Sequence, residues 1–160
     1  MSKLEFSYVT YIATTPEALW NALTLGELTS RYWFGRRVES HWRVGSDVRF
    51  YDMESDMPID RGEVLVADAP RRLSYTWHVE FDAEMRRERP SRLTFDLEPL
   101  GDVVRLSVTH EDFEPGSRAL AGITRGWPAI LSSLKTLLET GKPLAIPAPP
   151  SDARRERPRA

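Results

Sequence analysis

Cysteine is absent from this 160-residue chain, which excludes a disulfide framework, a thiolate nucleophile and any cysteine-ligated metal. Histidine is scarce. His41, His78 and His110 stand far apart, and although Glu111 and Asp112 follow His110, no second histidine comes one helical turn later, so no metal site is expected. No apolar run approaches the roughly 20 residues that cross a bilayer, and the opening MSKLEFSYV lacks the charged-then-apolar order of a secretory signal. No membrane association is expected, and the cytoplasm is the expected compartment. There is no excess of positive charge either: the formal net charge is −2, which gives no reason to expect nucleic acid as a partner. The chain has no G-x-S-x-G, no phosphate-binding P-loop and no G-x-G-x-x-G. No catalytic residue is therefore assigned, and no cofactor is expected.

What is present suits one globular domain. Hydrophobic residues make up 41% of the chain, with five tryptophans, five tyrosines and six phenylalanines among them. The folded part is expected over residues 1–142, followed by a disordered Pro/Arg-rich tail over 143–160. The last ten residues, SDARRERPRA, carry four arginines against one aspartate and one glutamate, so the first 150 residues hold a charge of −4.

The stretch Pro115–Gly141 organises the remainder. Leu120, Ile123, Trp127, Ile130, Leu131, Leu134, Leu137 and Leu138 recur at steps of three and four and share one helical face. Arg118, Arg125, Ser132, Lys135, Thr136 and Glu139 form the polar back. Pro128 removes a backbone donor inside this pattern, so a kink or break near Thr124 is expected. Gly141 and Pro143 supply the stop.

Upstream, Glu5 to Ile12 reads as a strand. A short helix follows, with Thr15 as N-cap and Pro16 at its first position. Thr24 and Glu27 have capping-box spacing, which predicts a second short helix over Leu25 to Tyr32. Six strands are expected near 36–41, 46–52, 59–68, 72–80, 91–98 and 102–110, separated by turn signals such as Val44-Gly45 and Leu100-Gly101. Alternation is clearest late: Leu73, Tyr75, Trp77 and Val79 share a face, as do Leu93, Phe95 and Leu97, and as do Val104, Leu106, Val108 and His110. One dry face and one wet face mark an antiparallel sheet covered on a single side. The expected fold is α+β: a seven-stranded antiparallel sheet curled around the long C-terminal helix, with two short helices after strand 1. The charged loop 83–90 reads as exposed and mobile.

Two readings are open for His110, a hydrogen-bonded edge histidine or a polar group inside a ligand cavity. Trp20, Trp33, Phe34, Phe50, Trp77, Phe95 and Trp127 converge on the space between helix and sheet, as plain core or as the wall of an apolar pocket. Arg31, Arg36, Arg37 and Arg43 form either a solvated group or the mouth of that pocket.

The segments TTPEALWNALT, LTSRYWFGRRVESHWRVGSDVRFYD, RGEVLVADAPRRLSYTW, LSVTHEDFEPGS and GWPAILSSLKTLLETG resemble the Hsp90-ATPase-activator-homologue branch of the START-like (SRPBCC, Bet v 1-like) superfamily, over about residues 5–142. The most specific part is Gly126, Trp127, Pro128, Leu131, Leu134, Lys135, Leu138 and Glu139. The resemblance implies a helix-grip fold, an apolar-ligand cavity between the long helix and the sheet, and usually no enzymatic activity. The family's eukaryotic activators carry a further N-terminal domain that makes much of the chaperone contact, and the sequence opens at the module's first strand, so the expectation is a module without that domain.

The leading expectation is non-catalytic binding of a small hydrophobic or amphipathic ligand, in a stress or regulatory role. The cavity candidates are Trp33, Phe34, Phe50, Tyr75, Trp77, Phe95, His110, Trp127 and Leu131. The alternative is a protein-interaction module for a chaperone or regulatory protein, using the outer strand face or the 83–90 loop. A third is an enzyme of the cyclase, aromatase or hydrolase type with His110 as its acid–base group. Monomer and homodimer are both open.

Overall fold

The computed structural model describes residues 4–53 and 55–147. Strand β1 (Phe6–Ile12) leads into helices α1 (Pro16–Thr24) and α2 (Gly26–Tyr32). Six strands follow, β2 (Arg37–Ser40), β3 (Asp47–Tyr51), β4 (Asp60–Asp68), β5 (Arg72–Val79), β6 (Ser91–Leu100) and β7 (Val103–Glu111), and the long helix α3 (Arg118–Thr140) closes the series. A single turn of 3₁₀ helix, Met85–Arg87, lies between β5 and β6. The seven strands form one antiparallel sheet in the order β1-β7-β6-β5-β4-β3-β2. The α+β helix-grip architecture expected from the sequence is thus the one observed.

Alternation along the late strands sorts residues as their chemistry requires. Leu73, Tyr75, Leu93, Phe95, Val104, Leu106, Val108 and His110 are all fully buried, and Trp127, Ile130, Leu131, Leu134 and Leu137 of α3 pack against them. Helix α3 is also tied to the edge strand. Lys135 Nζ donates to the Tyr11 carbonyl at 2.7 Å, and the Ala13 N–H donates to Glu139 Oε2 at 2.8 Å. These bonds occupy backbone groups of β1 that would otherwise lie open at the sheet edge.

Three local expectations need correction. Pro128 lies inside α3, which runs from Arg118 to Thr140 as one helix, so of the kink or break expected near Thr124 the break does not occur. The anchoring of Trp127 and Ile130 on the sheet side outweighs the loss of one backbone bond. Thr24 is not a cap for α2, because its hydroxyl donates back to the Trp20 carbonyl at 2.8 Å and Leu25 occupies the N-cap position without a side-chain bond. The loop over 83–90 is pinned rather than loose. Asp82 Oδ1 accepts the N–H groups of Glu84 and Met85, and Arg89 N–H donates to Glu114 Oε1. Glu88 accepts the Ser117 hydroxyl and the Ala119 N–H at the start of α3, where a carboxylate is worth about 0.3–1 kcal/mol against the helix dipole.

Of the tail expected from residue 143 onward, Leu144 is tied to α3, its N–H donating to Ser133 Oγ at 3.1 Å. From 148 onward that expectation falls outside the described residues.

Sheet register has one tight point. A Cβ at Gly62 of β4 would stand 1.7 Å from the Thr76 carbonyl oxygen of β5, a backbone atom that cannot step aside. Gly62→Ala is therefore expected to lower stability by about 3 kcal/mol through overpacking, read as a lower urea midpoint with β4 and β5 amides losing hydrogen-exchange protection. An unchanged midpoint would contradict this reading of the register.

Candidate functional site

The cavity candidates are drawn from α2 and its following turn, from β3, β5, β6 and β7, and from α3. The structure brings them together, but ring on ring. Trp33 lies 5.0 Å from Phe50, 5.9 Å from Trp77 and 5.1 Å from Trp127, measured between ring centroids. Phe50 and Trp77 are 4.7 Å apart, Tyr75 and Phe95 6.3 Å, and Phe95 meets Trp127 edge-on at 6.0 Å. A side chain bordering any space wide enough for water, sealed or open, shows accessible surface there. Trp33, Phe50, Tyr75, Phe95, His110, Trp127 and Leu131 show 2% or less, Trp77 shows 6%, and Phe34 alone is half-buried. The expected room between helix and sheet is thus filled by the very rings expected to line it. Large aromatics leaving the sheet and helix at different angles interlock, gaining offset and edge contacts as well as burial.

His110 holds the centre of this packing. Trp127 Nε1–H can only donate, and it points at His110 Nδ1 at 3.2 Å, so that nitrogen is bare. The proton therefore sits on Nε2, which donates to Ser91 Oγ at 2.8 Å, and the Ser91 hydroxyl passes its own hydrogen to the Trp77 carbonyl at 3.2 Å. Every polar atom in this chain of four residues is satisfied. Burial lowers the His110 pKa to about 3, keeping the ring neutral. Of the two readings left open for this residue, the arrangement matches the hydrogen-bonded structural histidine.

Two other buried groups are not satisfied. Among the described residues, Asp60 Oδ1 and the Tyr75 hydroxyl have no hydrogen-bond partner. Asp60 faces the interior in phase with Val64 on β4, its side chain is 1% exposed, and Arg36 reaches its other oxygen at 3.4 Å. Desolvation pushes the Asp60 carboxyl up to about 6, against the opposing pull of Arg36 and Trp77. Desolvation likewise holds the Tyr75 phenol well above its ordinary value, with the Tyr32 hydroxyl and the Asp60 carboxyl adding to it. Sequence reasoning missed Asp60, although a carboxylate in phase with an inward-facing valine was the available signal.

Space of ligand size lies at the end of the sheet. A groove of about 700 Å³ is lined by Asp52, Met57, Ile59, Arg61, Phe81 and Arg86, with Ser55, Pro58 and Glu80 completing it. It opens between the β3–β4 loop on one side and the residues after β5 on the other. Arg36 joins it to the interior: one face of its guanidinium stands 5.8 Å from the Phe81 ring, while Nη1 holds buried Asp60. The other members of the basic group are dispersed, Arg31 to the Gly141 carbonyl and Arg37 to Glu39 and over the Tyr51 ring. A smaller pocket of about 110 Å³ lies between α2, α3 and the returning chain at Leu144 and Ile146, and Phe34 borders it. Among the described residues no group of His, Asp or Glu is placed to hold a metal ion, and no helix is long and apolar enough to cross a membrane.

A family model described as activator of Hsp90 ATPase homolog 1-like protein matches residues 13–139. No curated protein gives a match. Solved structures are similar over most of the chain. The Aha1 dimer from Colwellia psychrerythraea shares 20% identity at a TM-score of 0.69, covering 86% of this chain and 98% of that one. A protein from Mesorhizobium loti shares 29% identity at 0.67, covering 83% and 96%. CalU16 from Micromonospora echinospora shares 20% at 0.68, covering 94% and 80%.

Two hydroxyls separate the satisfied from the unsatisfied interior. Ser91→Ala strands the His110 Nε2–H and should cost about 1–3 kcal/mol. Tyr75→Phe removes an oxygen with no partner and should leave stability unchanged or raised, so denaturant midpoints are expected to move in opposite directions or one alone to fall.

Asp60 carries a pH signature. Its folded pKa of about 6 lies above the ordinary 3.8, so the folded state binds the extra proton and this group's contribution is full below 3.8 and lost as pH rises through 6. Relative to Asp60→Asn, the wild-type chain should therefore lose about 2 kcal/mol between pH 4 and pH 7, measured as paired urea titrations. A constant difference across that window would show that Asp60 is not desolvated.

Proposed function

The chain belongs to the activator of Hsp90 ATPase homolog 1-like family, and from that premise we propose that it is a non-catalytic binding module that takes a small amphipathic molecule in the open groove at the end of the sheet. The observation that carries this reading is a contrast. The aromatic interior offers very little accessible surface, whereas the groove offers about 700 Å³, within the usual range for small-molecule sites. Its lining is apolar at Met57, Pro58, Ile59 and Phe81 and charged at Asp52, Arg61, Glu80 and Arg86. That mixture suits a molecule with both an apolar body and a polar end.

The cavity residues proposed from the sequence then act as the rigid wall behind the site rather than as its lining. Arg36, held between Asp60 and Phe81, transmits that rigidity to the groove. A non-catalytic role is consistent with His110, whose two ring nitrogens are both engaged in the packing of α3 on the sheet.

A second reading is favoured by one observation. Met57 and Phe81 of the groove are exposed, and Met53 of the same loop is 83% exposed. Flexible, polarisable methionines on an open surface also suit a protein segment, so a chaperone or regulatory partner could dock here.

The two are separated by one variant and two assays. In a thermal-shift screen with fatty acids, flavonoids and polyketide-like aromatics, a ligand at 100 times its dissociation constant should stabilise the wild-type chain by about 2.7 kcal/mol. Phe81→Ser should abolish that shift while Trp33→Phe retains it. A shift lost in Trp33→Phe but kept in Phe81→Ser would move the site to the interior. No shift with any compound, together with a Phe81-dependent complex with an Hsp90-type chaperone at tens of micromolar, would establish the second reading instead.

A further inference from the structure

The groove sets two arginines, Arg61 and Arg86, beside an apolar lining, with Asp52 and Glu80 on the same opening. Several arginines among the described residues are matched to carboxylates on neighbouring strands or loops, as Arg72 is to Asp96, Arg92 to Glu111 and Arg105 to Glu98. Arg61 and Arg86 have no ion-pair partner among the described residues, although both border a groove that also contains Glu80 and Asp52. Glu80, on the same opening, is paired with His78, its Oε1 lying 3.1 Å from His78 Nδ1. Asp52 is engaged in a contact of its own.

His78 links the two segments that carry these arginines. Arg61 of β4 stands directly across from His78 of β5. The other ring nitrogen of His78, Nε2, meets the Arg86 carbonyl at 2.9 Å, and the Arg86 N–H donates to the Asp82 carbonyl.

Resting on the groove reading above, we propose that the groove's ligand is an amphipathic anion. Its carboxylate, sulfonate or phosphate lies between the guanidinium groups of Arg61 and Arg86, and its apolar body lies on Met57, Ile59 and Phe81. Guanidinium groups match planar or tetrahedral oxyanions with paired N–H donors, and such charge-assisted bonds are about twice as strong as neutral ones. His78 is a positioning residue in this scheme, since it fixes the backbone of Arg86 against β5 and need not touch the ligand.

The test uses two fluorescent probes of the same shape, anionic anilinonaphthalene sulfonate and neutral phenylnaphthylamine, titrated into the full chain. The anionic probe should bind saturably at one site per chain, and more weakly as sodium chloride is raised. Arg61→Gln and Arg86→Gln, both at exposed positions, should each weaken it about tenfold while leaving the neutral probe and the melting temperature unchanged. Phe81→Ser should weaken both probes. Displacement by decanoate, decyl phosphate and decanol then distinguishes a carboxylate from a phosphate source, with decanol failing to displace. If the arginine variants bind the anionic probe as the wild type does, while Phe81→Ser still weakens both probes, the anion class is overturned and the groove stands. If Phe81→Ser changes neither probe, the groove reading itself falls.

Discussion

The structure depends on a buried imidazole that must stay neutral. Trp127 offers a donor from the long helix and Ser91 offers an acceptor from β6, so His110 on β7 can bridge them in one tautomer only. A second proton on the ring would set two donors against each other across 3.2 Å in a fully buried site. That single constraint fixes the rotation of α3 about its axis, because Trp127 can reach Nδ1 from one orientation. It also fixes which face of α3 meets Phe95 and Trp33, and hence how the rings interlock. The strand order brings β6 and β7 side by side, so the bridge spans elements already paired along a nine-residue register.

A filled interior changes where the fold can work. Helix-grip architecture encloses a space between sheet and helix, and its contents depend on side-chain volume. Here tryptophans at positions 33, 77 and 127, with Phe50, Tyr75 and Phe95, supply enough volume to close it. What remains accessible is the open end of the sheet, where the β3–β4 loop and the residues after β5 diverge. The loop over 82–88 forms one wall of that opening, and its bonds to the start of α3 and to His78 give it a defined shape.

Much of this was legible in the sequence, and the limits have physical causes. Period-two alternation in β5, β6 and β7 reports direction, and each residue assigned to the dry face there is buried. The apolar stripe of α3 was legible for the same reason, as was the inward aim of His110. Periodicity reports direction but not volume, so it could gather the aromatic residues in one place without deciding whether they enclose space or occupy it. Asp60 was passed over because charge alone argues for solvent, and the signal that outweighs it is phase with Val64 across a glycine. The pinned loop was misread for a related reason. Asp82 and Glu88 look like surface charges in composition, whereas in space one caps a turn and the other meets a helix start.

Asp60 and Tyr75 remain the departure from an otherwise satisfied interior. An orphaned buried oxygen costs on the order of 1–3 kcal/mol, and two in contact with one aromatic cluster form a standing strain on the fold. Arg36 relieves part of it through one carboxylate oxygen and does so from the groove side, with its other face on Phe81. The guanidinium is therefore shared between an interior acid and an exterior ring. Any group that draws Arg36 outward leaves Asp60 less compensated, and any group that presses Phe81 inward strengthens the pairing. The sealed core and the open groove are in this sense one system, coupled through a single arginine whose position each of them helps to set.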